Sequence, residues 1–597
     1  MTAIVGYFDL KNQLPRDTLD TMLKAVYTVS GSERSYHEQW GGLGVVIQQP
    51  SKQSSFFECE DLSKIGLIGA FESSPEKEGI PRLDQMDFEQ ISLLRGGYIW
   101  VQMDVQKKQF IIVNDHFARH PLYIAKYKEA VLFSTQIKAL LSALPNEQTL
   151  DKNAVAMMLT IGEVVGNQTL IEGVETIAAA QILTIDKEGS QYNPYWQYSY
   201  QQDFSINKKD AIQSIGEMLT QSVERAISRS EIVTVPLSGG LDSRFLLGLA
   251  NKTKDVHAYT WGIPDCRDLI YAKKTAKKIN CQHDCFEFTP NYLEKYADQG
   301  VWITEGQIPV INFHVLPYVN RLAADGNFTL LDGFAGDVVL GGNFIKSNWL
   351  NNPNGQEVAN ELWSWRLNST VKALESNELL TVVANAKEIF SNIYTEYQGE
   401  TSMDSVMAFL MDNRIRRTTT GGSEIFRTQF AVKQPFMDVD LMTAINQVPH
   451  QWRKRHRLYV DILNKFAPDV ASVAWQRTCL PPATPYVLSW SSLAAQRAYK
   501  EARKYLPLPD LIGNDSPSQF GEWFQMELKA YVTEVLFSER TYDRNILPMN
   551  ALEMAWSKHQ TGEIDASSFL GAAISIELFA RLFMDDLDAS IQRFSRS

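Results

Sequence analysis

The chain has 597 residues, of which 44% are hydrophobic and 21% are charged, and its formal net charge is −13. This length predicts about two to four domains. The negative charge argues against a large basic surface, so no nucleic-acid partner is expected. The five cysteines are too scattered for a disulfide framework. The start shows no signal peptide and no stretch approaches the ~18 apolar residues of a membrane span, so we expect a cytoplasmic protein without a membrane partner.

Short apolar runs, separated by polar or glycine-containing turns, recur through about the first 200 residues. This spacing predicts packed antiparallel sheets. The expected strands cover residues 3–8, 42–47, 65–71, 97–103, 110–113 and 130–134, and helices are expected at 16–27 and 136–143. The aromatic and polar segment 192–204 is interpreted as a linker.

After residue 208 the pattern changes to alternating strands and helices. Helical periodicity covers residues 208–229, 244–251 and 269–279, and short strands are predicted at 232–237, 256–261, 286–288 and 329–332. This alternation predicts a parallel, doubly wound α/β sheet. Beyond about residue 350 the sequence is mostly helical.

Residues 236–243 read Pro-Leu-Ser-Gly-Gly-Leu-Asp-Ser and join a predicted strand to a predicted helix. Backbone N–H groups in such a turn, together with the helix N-terminus, suit a phosphate group. Gly239 and Gly240 allow the backbone to approach an anion closely. Asp242 suits a Mg²⁺ ion that bridges to the phosphates, and the flanking serines can donate hydrogen bonds. The alternative is a turn that has only a structural role.

A second glycine-rich segment, Gly-Phe-Ala-Gly-Asp-Val-Val-Leu-Gly-Gly at 333–342, directly follows a predicted strand. Its single acid, Asp337, suits a second Mg²⁺ ligand, and its glycines permit close phosphate contact. A plain turn between a strand and a helix is the alternative here too. The two segments together make the stronger prediction of a Mg·ATP site.

The first segment resembles the pyrophosphate loop of N-type ATP pyrophosphatases, and the order and spacing of both segments resemble the asparagine synthetase family. This resemblance implies that ATP is cleaved between its α- and β-phosphates and that AMP is transferred to a carboxylate. It implies Mg²⁺ ligation by Asp242 and Asp337. It implies ATP binding by Leu237, Ser238, Gly239, Gly240, Leu241, Asp242, Ser243, Trp261, Asp332 and Gly333.

The resemblance continues through 414–417 and 433–438, and then through 459–478. In the last segment the family usually carries a lysine that stabilises charge in the transition state. This chain has Arg477 and Thr478 at about that point. Arg477 is therefore the candidate catalytic cation, and a solvated or merely phosphate-contacting arginine is the alternative.

The N-terminal part resembles a class II glutaminase (Ntn) domain without its nucleophile. Residues 114–123 and 133–140 resemble the family segments RDxxGxxPLYY and FASEIKAL. However, Thr2 stands where glutamine-dependent members have cysteine, and the substrate-binding segments at 31–35 and 69–73 have diverged. We expect a structural or docking domain, with an N-terminal threonine nucleophile as the less favoured alternative.

These observations predict an α/β chain in three parts. The parts are a glutaminase-like Ntn αββα domain at 1–200, a doubly wound parallel-sheet synthetase domain of the adenine-nucleotide α-hydrolase type at 205–480, and a helical extension at 481–597. The expected activity is an AMP-forming carbon–nitrogen ligase that uses ATP and Mg²⁺.

Family members without the cysteine include β-lactam synthetases and lasso peptide macrolactam synthetases. Phe334 stands where asparagine synthetases have glutamate and β-lactam synthetases have tyrosine, so elimination favours a peptide macrolactam synthetase. Its expected partners are a ribosomal precursor peptide, a leader-binding protein and a protease. The alternatives are a glutamine- or ammonia-dependent amide ligase acting on aspartate or another carboxylate, and a non-catalytic nucleotide-binding scaffold.

Two other clusters of polar residues carry weaker signals. Cys281 and Cys285 flank a Gln-His-Asp triplet, which is poor zinc spacing, so a strand entry with buried thiols is expected. The basic run 453–457 predicts a helix start with solvated side chains, and a phosphate or leader-peptide contact is the alternative.

Overall fold

The computed structural model describes residues 2–27, 31–48, 54–58, 63–69, 71, 82–145, 147–324, 326, 329–342, 344–350, 355–503, 505–507, 509 and 513–594. Cys59 and residues 70, 72 and 73 of the diverged glutaminase segment lie outside these ranges.

The N-terminal region consists mainly of antiparallel strands. They are β1 Ala3–Phe8, β2 Gly31–Glu38, β3 Gly41–Gln48, β4 Ser54–Glu58, β5 Ser63–Gly69, β6 Tyr98–Asp104, β7 Gln109–Asn114, β8 Tyr123–Tyr127, β9 Ala130–Ser134, β10 Val174–Thr176, β11 Gln181–Asp186 and β12 Gly189–Pro194. One sheet has the order β10-β8-β9-β1-β3-β2 and the other has the order β12-β11-β7-β6-β5-β4.

The alternation of side chains along each strand places one half of them between the two sheets. Ile4 and Phe133 of the first sheet join Val101 and Ile112 of the second in one buried cluster. Val5, next to Ile4, instead joins the cluster beneath the helices. The helices of this region are α1 Thr18–Ala25, α2 Phe88–Ser92, α3 Ile137–Ala143 and α4 Lys152–Ile161.

A third sheet, parallel throughout, forms the centre of the rest of the chain. Its strands are β13 Ile232–Pro236, β14 Asp255–Gly262, β15 Gln282–Glu287, β16 Thr329–Leu331 and β17 Ala431–Lys433, in the order β15-β14-β13-β16-β17. The helices α5 Lys208–Ile227, α6 Asp242–Ala250, α7 Arg267–Lys278, α8 Tyr292–Thr304 and α9 Leu316–Ala323 connect or precede its strands.

The remainder is helical. These helices are α10 Gly355–Arg366, α11 Ser369–Ala373, α12 Asn377–Thr395, α13 Ser402–Phe409, α14 Thr420–Arg427, α15 Val439–Gln447, α16 His450–Arg453, α17 Arg457–Phe466, α18 Pro468–Ala471, α19 Tyr486–Arg503, α20 Phe520–Gln525, α21 Lys529–Leu536, α22 Glu539–Arg544, α23 Met549–Gln560, α24 Ser567–Ala580 and α25 Leu587–Phe594. Short π-helical segments cover Asp337–Gly341, Leu410–Thr419 and Arg581–Asp585.

One helix is more apolar than the sequence prediction allowed for. The segment Ser567–Asp585 is long and apolar enough to cross a membrane by those two criteria, but 83% of its apolar window is buried inside the protein. Leu570, Ile574 and Phe579 belong to the large shared core. The segment therefore packs as a core helix.

The predicted fold class is confirmed, with stacked antiparallel sheets, then a parallel sheet, then a helical C-terminal part. The predictions missed several strands, among them the interior strands β8 and β11 and strands with a solvent-facing or polar sequence. Strand β2 lies at the edge of the first sheet and is mostly exposed, so it has no apolar alternation. The expected linker at 192–204 begins inside the polar edge strand β12, and the strand expected at 286–288 lies earlier, in β15. The domain boundaries at 200–205 and 480 stay predictions.

Candidate functional site

The candidate site lies where the order of the parallel sheet changes direction. From β13 the chain passes to β14 and β15 on one side, and it later returns as β16 on the other side. Crevices at the carboxyl ends of such strands are the usual ligand sites of open α/β sheets. The two glycine-rich segments predicted from sequence follow β13 and β16, so the topology brings them to this one crevice.

Two glycines show how closely the segments approach each other. A Cβ atom added to Gly333 would lie 2.8 Å from the backbone nitrogen of Ser243. A Cβ atom added to Gly336 would lie 2.6 Å from Cγ of Asp242. Any side chain at these positions would force the segments apart. The glycine pattern of the second segment thus serves contact with the first.

The two predicted metal ligands meet at this contact. The backbone N–H of Asp337 donates to Oδ2 of Asp242 at 3.0 Å, and the hydroxyl of Tyr459 donates to Oδ1 at 2.7 Å. Nε2 of His456 lies 2.5 Å from Oδ1 of Asp337. Burial, and then the charge of Asp337, raises the pKa of Asp242 to about 7. A cation between the carboxylates would relieve this cost.

The donor set fits magnesium held jointly by protein and substrate. Among the residues that the structure describes, no group of three or more His, Cys, Asp or Glu side chains could hold a metal ion alone. Mg²⁺ commonly takes one or two carboxylates and completes its octahedron with phosphate oxygens and water. Asp242 and Asp337 match that requirement.

The loop after β13 is shaped by its own serines. The backbone N–H of Ser238 donates to Oγ of Ser243 at 3.0 Å, and that of Gly240 donates to Oγ of Ser238 at 3.1 Å. The N–H of Gly239 instead donates to a carboxylate oxygen of Asp268 at 2.7 Å. This N–H therefore already holds an anionic group, and burial raises the pKa of Asp268. Asp268 lies in the first turn of α7, and sequence reasoning missed it.

The predicted adenosine contacts lie along the same sheet edge. Leu237 directly follows β13, and its N–H donates to the carbonyl of Tyr259 at 2.7 Å. Asp332 follows β16 and accepts a hydrogen bond from Ser423 at 2.9 Å, and burial raises its pKa. Trp261, near the end of β14, packs with its ring centre 5.4 Å from that of His314.

A cavity of about 590 Å³ opens beside the two glycine-rich segments at this edge of the sheet. It is lined by Gly240, Leu241, Asp242, Arg267, Asp337, His456, Trp475, Gln476, Arg477, Leu493, Gln496, Arg497, Lys500 and Asp515. Both predicted metal ligands and the predicted catalytic cation Arg477 therefore face one space.

Arg477 and Thr478 differ sharply in what they offer to this cavity. Arg477 is exposed as a whole residue, and its guanidinium lies 5.6 Å from the ring centre of Trp475. Partial desolvation of this guanidinium in the cavity lowers its pKa. Thr478 is buried, and its hydroxyl donates to the carbonyl of Leu480 at 3.1 Å. Of these two, Arg477 alone brings a positive charge to the cavity.

The prediction of solvated side chains for the basic run 453–457 is wrong for two of its members. Arg453 is fully buried and donates to the carbonyl of Val338 at 2.9 Å. His456 is buried against Asp337, and both it and Arg455 have positive φ values of 63° and 59°. Such backbone is costly for residues other than glycine and is found at functional sites. A histidine beside Tyr459 carried no sequence signal for this role.

The prediction for the cysteine pair is partly wrong. Cys281 and Cys285 lie at and within β15, but Cys285 is exposed and Cys281 is only partly buried. Strand β15 is an edge strand, so one face of it remains open to solvent.

The N-terminal region keeps the glutaminase-like scaffold. Asp115 is fully buried and accepts hydrogen bonds from the backbone N–H of Phe117 and from the backbone N–H and Nε of Arg119, at 3.0 to 3.1 Å. Thr2 is half-buried directly before β1. The diverged segment at 31–35 is an exposed part of β2.

The comparisons with known proteins agree with this two-part organisation. A family model for asparagine synthase matches residues 214–471, and a model for a glutamine amidotransferase domain matches residues 73–196. A putative glutamine-hydrolyzing asparagine synthetase 2 of Methanocaldococcus jannaschii is 22% identical over 279 residues, which is 45% of this chain and 54% of that protein. Amidase chry2 of Gibberella zeae is 22% identical over 331 residues, 51% of this chain and 48% of that protein.

Solved structures give weaker likenesses. The NMN synthetase of Francisella tularensis is 14% identical, covers 34% of this chain and 92% of its own, and has a TM-score of 0.19. The glutamine phosphoribosylpyrophosphate amidotransferase of B. subtilis is 12% identical and has a TM-score of 0.23. The match covers 49% of this chain and 92% of that protein.

The chain thus joins a glutaminase-like domain of antiparallel sheets to a parallel-sheet domain with two glycine-rich loops, which is the organisation of a glutaminase-like synthetase. Over residues 214–471 the chain belongs to the asparagine synthase family, and over residues 73–196 it matches a glutamine amidotransferase domain. It spans about half the length of the curated relatives named above.

Proposed function

We propose that this chain is an ATP-dependent carbon–nitrogen ligase that activates a carboxylate as its adenylate and couples it to an amine. The observation that carries the proposal is the contact of Asp242 with Asp337 in a cavity that also receives Arg477. Two neighbouring carboxylates can hold one Mg²⁺ ion, which suits the binding of Mg·ATP. Without a metal ion, the same two carboxylates would repel a triphosphate.

The site's residues have distinct tasks in this scheme. Asp242 and Asp337 hold Mg²⁺, which when bound neutralises phosphate charge. The loop after β13 orients the triphosphate while an oxygen of the substrate carboxylate attacks the α-phosphorus. The bond between that phosphorus and the bridging oxygen breaks, and pyrophosphate leaves with the electron pair. Arg477 stabilises the negative charge that develops on the phosphates. The amine then attacks the acyl carbon, AMP leaves, and the amine gives up a proton.

We propose that glutamine is not the amine source. Thr2 stands at the family's nucleophile position, and the amidotransferase model match begins only at residue 73. The N-terminal domain then has a structural role. Its Lys138 forms a 2.7 Å ion pair with Glu305 of the synthetase part, and their side chains are 0% and 3% exposed. Arg417 also donates to the carbonyls of Gly166 and Gln168.

The finer proposal is intramolecular closure of a peptide macrolactam, as in lasso peptide cyclases. Phe334 supports it, because this buried apolar side chain can neither bind ammonium nor relay a proton. The expected partners are a ribosomal precursor peptide, a leader-binding protein and a protease. An amide ligase using free ammonia or a separate amine is the alternative. A non-catalytic scaffold has no need for the carboxylate pair.

The test is ATP–pyrophosphate exchange, screened over peptides with a free N-terminal amine and an acidic side chain, and over free aspartate and other acids with ammonia. We expect exchange that depends on one carboxylate class and on Mg²⁺. Exchange with acidic peptides alone supports the macrolactam synthetase, whereas exchange with aspartate or another free acid supports the alternative. Binding of Mg·ATP without exchange for any acid would overturn the ligase proposal in favour of the scaffold.

A further inference from the structure

The outer wall of the nucleotide cavity comes from the C-terminal helix α19. Leu493, Gln496, Arg497 and Lys500 line the cavity, and their spacing of three, four and seven residues places them on one face of the helix. Asp242 and Asp337 line the same space. A basic helix face thus shares the cavity with the predicted magnesium ligands. This helix lies beyond residue 471, where the match to the asparagine synthase model ends.

Helix α19 is fixed to the segment that carries Arg477. The side-chain amide of Gln496 donates to the carbonyl of Arg477 at 3.4 Å, and the hydroxyl of Ser492 donates to the carbonyl of Thr478 at 2.5 Å. The position of Arg477 and the position of the helix are therefore coupled.

The far end of α19 is fixed to the sheet side of the cavity. Lys500 pairs with Asp515, whose other carboxylate oxygen lies 2.6 Å from the buried guanidinium of Arg267. Backbone hydrogen bonds of 2.9 Å run from Arg267 to Asn514 and from Ile263 to Pro517. The helix thus lies along the cavity as a wall that is held in its middle by Ser492 and Gln496 and near its C-terminal end by Lys500.

The charges of this wall favour an anion with several oxygens. Arg267, Arg477, Arg497 and Lys500 bring four positive charges to the cavity, and Asp515 is already shared by two of them. Arg477 and Arg497 line the same cavity, and the charge of Arg497, after burial, helps to lower the pKa of Arg477. A polyphosphate relieves that repulsion, because it offers a separate anionic oxygen to each guanidinium.

We infer that Arg497, assisted by Lys500, binds the β- and γ-phosphates of Mg·ATP and the pyrophosphate that leaves. This inference rests on the proposed function. It gives a second source, beside Arg477, for the positive charge that the family's lysine would supply, since Thr478 is buried and neutral. When the bond from the α-phosphorus to the bridging oxygen breaks, the electron pair and its charge pass to pyrophosphate, next to Arg497 and Arg477.

The test compares Arg497→Gln, Arg497→Lys and the control Arg503→Gln. Arg503 ends the same helix and is not among the described residues that line the cavity. Binding of Mg·ATP, Mg·pyrophosphate and AMP is measured by titration with the full-length protein. We expect Arg497→Gln to weaken Mg·ATP and Mg·pyrophosphate by about tenfold and to leave AMP unchanged, because a charge-assisted hydrogen bond to a phosphate is lost. Arg497→Lys should retain most of the affinity, and Arg503→Gln should match the wild type.

Each outcome decides the inference. Unchanged binding of Mg·ATP by Arg497→Gln, or an equal loss for AMP, would overturn it while the proposed function stands. A wild-type protein that binds AMP and Mg·ATP equally well would also overturn it, since no group would then recognise the terminal phosphates. A wild type that binds neither nucleotide would remove the proposed function as well.

Discussion

The two halves of this chain resemble the same family, but they differ in which of the family's functional residues they contain. The N-terminal half keeps the buried scaffold around Asp115 and Arg119 and has Thr2 where the family's nucleophile stands. The synthetase half keeps the scaffold and also the two predicted magnesium ligands, Asp242 and Asp337, in contact. Scaffold residues are retained because burial and hydrogen bonding need them, whereas activity depends on very few atoms. Likeness of fold therefore says little about activity in the first half and more in the second.

The largest effect is expected at the carboxylate pair. Asp242→Asn and Asp337→Asn keep the shape of the side chain but remove a magnesium ligand charge, so the ATP–pyrophosphate exchange rate should fall by about 100-fold or more. Asp255→Asn, at the exposed start of β14, serves as the matched control and should exchange normally. Exchange that survives in both loop variants would show that this carboxylate pair does not hold the magnesium of the adenylation reaction.

The buried ion pair between the halves tests whether the N-terminal domain is structural. Lys138→Met leaves Glu305 buried without its partner, so the free energy of unfolding should fall by about 3–5 kcal/mol. Adding Glu305→Gln should recover much of this loss, and chemical denaturation of all three proteins measures it. If Lys138→Met unfolds like the wild type, the halves are not held together by this contact.

The pH dependence of magnesium binding should report the ionisation of Asp242. Its pKa is raised to about 7, and Mg²⁺ binds the ionised form, so the affinity for Mg·ATP should weaken as the pH falls below about 7. Stability without metal has the opposite sign, because a raised pKa stabilises the fold at low pH and this contribution is lost between pH 3.8 and about 7. Asp242→Asn should flatten both profiles, and a wild-type magnesium titration that does not vary with pH would contradict the assignment.

His456 should have a smaller, selective effect. It contacts the carboxylate of Asp337 and orients it, so His456→Asn should raise the Mg²⁺ concentration for half-maximal exchange by about tenfold. The exchange rate at saturating magnesium should change less. His37→Asn, at an exposed position in β2, is the control. An equal loss at all magnesium concentrations would mean that His456 has another role.

The smallest effect is expected at residue 2. Thr2→Ala should leave exchange unchanged, and Thr2→Cys should not confer glutamine hydrolysis, because the surrounding segments at 31–35 and 69–73 have diverged as well. Ammonia release from glutamine measures this directly. Hydrolysis by the wild type that disappears in Thr2→Ala would restore an active glutaminase and remove the difference between the halves.

Much of the fold and the centre of the site could be predicted from local pattern. The glycine-rich loops follow apolar strands, so both their chemistry and their place at the sheet edge were visible in the sequence. Edge strands such as β2 and β15 were missed or misplaced, because their polar faces give no alternation. Asp268, His456 and Tyr459 were missed as site residues because only tertiary contacts bring them to the loops. Arg497 and Lys500 lie more than 250 residues from Asp242, and no local pattern links them.

The central claim is adenylation, and isotope transfer tests it most directly. The carboxylate that supports exchange is labelled with ¹⁸O and turned over with Mg·ATP and the amine, and the nucleotide products are analysed by mass spectrometry. Attack of the carboxylate on the α-phosphorus predicts one ¹⁸O atom in AMP, with unlabelled pyrophosphate. ADP and labelled inorganic phosphate, or AMP without label, would contradict the account.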